Sequence, residues 1–273
     1  MPENKQLQDK LIEWLEKQGY PHEMEVALAF QNHGFRVFQS DYYDDPETGD
    51  KREIDLIAFK DADSENFKFR ISFAVECKSS YDKPWVLFTS NKSRINNYSR
   101  VMQRASSESG KKLLLKLTDR EDVKDFLLFN IGKRPAYGIT QGFTSGADVT
   151  FAAINGAAKA AIAKVAKPVS KTFHLVFPIV CVGGRLFEYF INDDGDKKLE
   201  EIKHGTLLWR NPLLGTTHTI IPIVTSSAIT EYLDAVSAEV EILLNSCTDE
   251  CEEILKNSSV TLSRRVLSSG LKR

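Results

Sequence analysis

Cysteine, histidine and long apolar runs are scarce in this chain, and each scarcity removes a class of function. The 273 residues hold four cysteines. None forms a CxxC pair, and Cys77 and Cys181 sit in apolar, strand-like runs. Cys247 and Cys251 are four apart with no histidine near them in sequence, so we expect reduced, buried thiols rather than a zinc knuckle or a disulfide framework. The five histidines, His22, His33, His174, His204 and His218, are scattered and suggest no ligand set. No uninterrupted apolar run approaches the roughly 20 residues a membrane-spanning helix needs. The Ala-rich stretch 151–166 is broken by Lys159 and Lys164. The polar opening MPENKQLQDK has no signal-peptide character, so a cytoplasmic protein without a membrane partner is expected. A dominant charge is also absent: 36 Lys and Arg stand against 38 Asp and Glu, a net charge of -2. No global basic footprint points to nucleic acid, although a local patch would suffice. The glycine-rich run GITQGFTSG (138–146) lacks the GK[ST] ending of a phosphate loop.

What is present suits a packed α/β protein, with 42% hydrophobic and 27% charged residues. Leu7, Leu11, Trp14 and Leu15 form the stripe of an amphipathic helix over 5–18. Pro21 opens a second helix that runs to about Asn32 and stops at Gly34. A short strand over 35–39, a polar loop over 41–50 and a strand over 52–59 follow. After a turn at 61–66, residues 67–78 alternate: Phe69, Ile71, Phe73, Val75 and Cys77 share one face, Arg70, Ser72, Ala74, Glu76 and Lys78 the other. Further on the pattern predicts a polar helix over 91–116, a helix or strand over 122–129 and a loop over 138–146. A close-packed helix over 147–166 comes next, then a hairpin of 173–182 with 185–191 about Gly183 and Gly184. A turn at 192–196 leads to another short strand, then a strand near 219–224 and a helix over 227–245. The expected architecture is a mixed sheet flanked by helices.

Glu76 and Lys78 lie two apart on one strand and project from one face, opposite the apolar set. Asp55 on the preceding strand reaches the same place if the two strands pair as antiparallel neighbours. Two carboxylates and a lysine would then converge. Such an oxygen site suits Mg²⁺, with Mn²⁺ as a substitute and the Cys77 carbonyl as a further donor. The metal would polarise a phosphoryl oxygen and acidify its bound water, while the lysine orients that water and offsets developing charge. The bare pattern [DE]xK occurs five times, starting at positions 3, 76, 122, 196 and 201. Only Glu76-Cys77-Lys78 ends a long alternating strand preceded by a second strand with an acid. Spacing alone fits a cross-strand ion pair equally well.

These segments, Glu23 onward into GFRV (34–37), then EIDLIA (53–58) and FAVECKSS (73–80), resemble the PD-(D/E)xK, or restriction-endonuclease-like, superfamily. Its members include type II and type IV restriction enzymes and archaeal Holliday-junction resolvases, built on a helix, three strands, a helix and a further strand. The resemblance covers about the first third of the chain. It implies a metal-dependent nuclease in which Asp55 and Glu76 bind metal and Lys78 is the catalytic lysine. The helix acid is Glu23 or Glu25. The family's common spacing before the glycine selects Glu23, and helical geometry places Glu23 with Val26, Ala27 and Phe30 on the sheet-facing side. An acid in a first turn is also favoured by the helix dipole alone.

Residues 83–134 carry twelve Lys and Arg against five Asp and Glu, and Lys92, Arg94, Arg100 and Arg104 are the expected phosphate contacts of a DNA substrate. A solvated helix face accounts for the same run. Tyr81 and Tyr98 could stack on bases, while Trp85 better suits the core. We expect a nuclease-like core over 1–191, including the sheet-extending hairpin, and a strand and helix extension over 192–273 packed on it. The C-terminal helices offer a surface for a homodimer. The rival reading is a nucleic-acid or protein-binding module that keeps the fold without cleaving.

Overall fold

In the computed structural model, the described residues are 2–16, 18–90, 97–144, 146, 149–210 and 219–257. Helices α1 (Pro2–Leu15) and α2 (Tyr20–Asn32) lead into a three-strand meander. Its strands β1 (Arg36–Asp44), β2 (Lys51–Asp63) and β3 (Lys68–Ser79) are antiparallel neighbours. Strand β4 (Trp85–Thr89), α3 (Asn97–Met102), a two-residue β5 (Ala105–Ser106), α4 (Glu108–Leu117), β6 (Ala136–Gln141) and α5 (Val149–Ala166) follow. The chain then forms β7 (Thr172–Gly183), β8 (Leu186–Ile191), β9 (Lys197–Ile202), β10 (His204–Trp209), β11 (Thr219–Thr225) and α6 (Ile229–Ser246). The molecule is α/β: one mixed sheet in the order β1-β2-β3-β7-β11-β10-β6-β4-β8-β9, with β5 added beside β7, is flanked by helices.

Alternation sorts the two faces. Phe69, Ile71, Phe73, Val75 and Cys77 of β3, with Phe173, Leu175, Phe177, Ile179 and Cys181 of β7, pack beneath α2, α4 and α6. Ala74, Ile57, Phe59 and Val176 face the other way, against Ala160 and Ala161 of α5. Small residues let α5 lie close to the sheet, which is why an alanine-rich helix sits here. By length and composition α5 would suit a bilayer. In this fold Ala153, Ala157, Ala158, Ala160 and Ala161 are buried, Lys159 pairs with Asp45 and Glu47, and Lys164 pairs with Asp41.

Several sequence expectations are corrected. Residues 173–191 do not form a hairpin: β7 lies parallel between β3 and β11, while β8 pairs with β4 and β9. The cause is a close approach at the glycines. The Ser80 backbone N–H donates to the Gly183 carbonyl at 2.8 Å, and a Cβ on Gly184 would strike the Ser80 carbonyl. The end of β3 therefore occupies the place a hairpin partner would take. Part of the loop expected at 41–50 is strand, since β1 continues to Asp44 opposite Lys51. Residues 136–141, with 138–141 expected as loop, form the interior strand β6. Beyond residue 192, β11 and β10 enter the middle of the sheet.

Candidate active site

The register of β2 on β3 pairs Leu56 with Val75 and Ile57 with Ala74, which sets Asp55 beside Glu76 at the end of the strand pair. One Asp55 oxygen accepts the Cys77 backbone N–H at 2.7 Å and lies 3.6 Å from the Lys78 ammonium. That ammonium also donates to Glu76 Oε2 at 2.8 Å and to the Cys77 carbonyl at 3.1 Å. Asp55, Glu76, Lys78 and the Cys77 carbonyl thus meet at one point, as expected from the alternation of β3.

Burial sets the electrostatics. Glu76 is only 7% exposed, and desolvation pushes its carboxyl up to about 7, with Lys78 opposing and Asp55 adding to the rise. Burial works to lower the Lys78 ammonium, but the Glu76 and Asp55 carboxylates outweigh it and hold it above its ordinary value. Glu23 is raised by its own burial and then by repulsion from Asp55. It reaches the shallow cavity that also holds Cys77, Lys78 and Tyr81, whereas Glu25 is exposed and lies outside that cavity. His22 pins this helix start: its Nε2 lies 3.2 Å from the Cys181 carbonyl and its Nδ1 3.2 Å from Ser226 Oγ.

Glu76 and Lys78 form the floor of a cleft of about 730 Å³. One wall is the β1–β2 hairpin, with Tyr43, Asp45, Glu47 and Arg52; the other is α5 and the end of β10, with Phe151, Asn155, Gly156, Lys159 and Trp209. Gly156 faces the Glu76 carboxyl, and a Cβ there would overlap it. Sequence reading missed this wall. The cue was present in a glycine within an alanine-rich helix, but nothing local says what that glycine faces.

The expected phosphate contacts fare differently. Lys92 and Arg94 lie outside the described residues. Arg104 is corrected: it is 8% exposed, its guanidinium lies over the Phe129 and Phe177 rings, and its Nη1 donates to the Ile220 carbonyl at 3.4 Å. Its Nε and Nη2 are buried without partners, and burial pulls its pKa down to about 9. Arg100 neighbours Val101, Leu117 and Phe129, residues of the core on the α2 and α4 side. The sheet therefore separates both arginines from the cleft wall formed by α5. Trp85 is fully buried, its indole N–H donating to Ser80 Oγ.

Among the described residues, no three His, Cys, Asp or Glu side chains cluster as a metal cage. The donors at the centre are two carboxylates and a main-chain carbonyl, all oxygen. Mg²⁺ is commonly held by one or two carboxylates with waters completing its shell, so the donor chemistry fits that ion. Compared with protein-family models, with curated proteins and with solved structures, the chain matches none.

Proposed function

We propose that the protein is a metal-dependent nuclease with a restriction-endonuclease-like core, hydrolysing phosphodiester bonds, with DNA as the expected substrate. The observation that carries this reading is the convergence of the Asp55 and Glu76 carboxylates on one ammonium, Lys78, at the floor of an open cleft. With β4, α3, β5, α4 and β6 inserted between β3 and α5, the order α2, β1-β2-β3, α5, then β7 parallel to β3 supports it, since the resemblance implies a helix, three strands, a helix and a further strand. Asp55, Glu76 and the Cys77 carbonyl would hold Mg²⁺, which supplies Lewis-acid polarisation and an acidified water. Lys78 lies where it can orient a water and offset charge developing on phosphate. Glu23 would act from the outer side of the site.

Two measurements test the reading. Calorimetric titration with Mg²⁺ or Mn²⁺ should show binding to the wild type and none to Asp55→Ala. Incubation with Mg²⁺ and linear, circular, single-stranded and branched nucleic acids should give cleavage that Asp55→Ala lacks. Binding without cleavage of any substrate would favour the non-catalytic module.

Glu23 and Glu25 separate cleanly in the same assay. With its carboxyl beside Lys78 and under the field of Asp55, Glu23→Gln should slow single-turnover cleavage at least about tenfold. The exposed Glu25→Gln should stay within about twofold of wild type, and both should melt as wild type does. A slow Glu25→Gln beside an active Glu23→Gln would reverse the assignment.

A further inference from the structure

The cleft raises a question its floor does not answer: how a polyanion is held where acids and bases balance. Four carboxylates and four cations line it. Lys159 is already paired with Asp45 and Glu47, and Arg52 stands 3.6 Å from Asp45. Phosphate attraction alone is therefore a weak source of binding. The cleft offers aromatic surface instead. Phe151 is 57% exposed, although Ala153, Ile154, Ala157 and Ala158 of the same helix are buried. Its ring meets Trp209 edge-on, centroids 5.6 Å apart at 79°. The Trp209 indole N–H donates to Asn155 Oδ1 at 3.2 Å, which fixes the pair. An edge-on contact covers at most one face of the two rings and leaves the others for a third ring.

We propose that the nucleic acid in this cleft is single-stranded beside the scissile phosphate, and that Phe151, backed by Trp209, is the platform on which an unpaired base stacks. The proposal rests on the nuclease reading and narrows its substrate. Size points the same way. About 730 Å³ is the volume of a small-ligand site. Such a space takes a nucleotide or two, and an unpaired base can enter it without the unstacking and unpairing that a paired base requires. Stacking is indifferent to base identity, so little sequence preference is expected from this contact.

Fluorescence anisotropy without divalent metal tests it, using labelled oligothymidine of about twelve nucleotides, an abasic strand of equal length and charge, and a duplex. Wild type should bind oligothymidine at least about fivefold more tightly than either control. Phe151→Ala should lose about fivefold or more on oligothymidine and nothing on the abasic strand, while Phe151→Tyr restores the difference. If the alanine variant fails to fold, Phe151→Leu keeps the apolar contact without the aromatic face and carries the same expectation. Oligodeoxyuridine and oligouridine run alongside, alike in base, assign the sugar by whichever binds more tightly, with the Phe151 dependence expected on that strand. Equal affinity for duplex and single strand, or a Phe151→Ala loss that is absent or equal on the abasic strand, overturns the proposal. Phe151-dependent binding with no cleavage under Mg²⁺ would refute the nuclease reading alone. Cleavage of duplex with no single-strand preference would refute the platform alone.

Discussion

Glu76→Gln should abolish Mg²⁺-dependent cleavage, by at least about a thousandfold, and yet leave a protein more stable than wild type above neutral pH. Both effects follow from one buried carboxyl. Its charge is what the proposed metal would require, so a neutral amide of the same shape should remove the proposed function. That same charge is costly to the fold, since burial is the main cause of its rise to about 7 and outweighs the help from Lys78. A carboxyl raised in the folded state binds its proton more tightly there than in the unfolded chain. Its favourable contribution is complete below the ordinary value of 4.5 and is lost as pH climbs towards about 7. The loss across that window is on the order of 1–3 kcal/mol. Denaturation of the metal-free protein from pH 4.5 to 8 should show a decline for wild type that Glu76→Gln lacks. Parallel profiles would mean that Glu76 is ionised in the fold at no cost.

Gly156→Ala carries the second large effect. In a helix interior, alanine should stabilise by about 0.5–1 kcal/mol over glycine. Here the added Cβ would overlap the Glu76 carboxyl, which is enclosed and cannot withdraw freely. Overpacking of this kind typically costs about 1–3 kcal/mol, so the melting temperature should stay level or fall. The carboxylate must shift, and a displacement on the order of 1 Å at a reacting centre costs about a hundredfold in rate. Single-turnover cleavage together with Mg²⁺ calorimetry reads both. A variant that melts higher with undiminished turnover would show that Glu76 does not need that space.

What could be read from the sequence was what short-range physics decides. The period-two pattern over 69–78 places Glu76 and Lys78 on the face away from Phe69, Ile71, Phe73 and Val75, and a short connection makes β2 the antiparallel neighbour that delivers Asp55. First-turn geometry on α2 turns Glu23 towards Lys78 and leaves Glu25 outside. Pairing across long sequence separations was not legible. Nothing near 173–182 says that β7 will lie parallel to β3, nor that β8 will leave for the far half of the sheet. Arg104 illustrates a second limit. In sequence it is one cation in a basic run, and only the packing of Phe129 and Phe177 shows that it is enclosed. The cleft wall failed for both reasons at once: Phe151, Gly156 and Trp209 come from α5 and β10, far along the chain from the strands they cover.

The placement of β7 has a consequence for how the chain acquires this site during synthesis. All three acidic and basic side chains of the centre are made by residue 78, yet the strand that carries two of them has its parallel neighbour at 172–183, and that neighbour is bordered in turn by β11 at 219–225. Until those segments leave the ribosome, β3 presents an unpaired edge and the apolar row Phe69, Ile71, Phe73 and Val75 to its surroundings. Such late, non-local pairing makes for slow folding and a vulnerable nascent chain. A ribosome stalled before residue 172 would display the full set of charged groups on an unfinished scaffold, so the proposed activity should emerge only after β7 and β11 have been made.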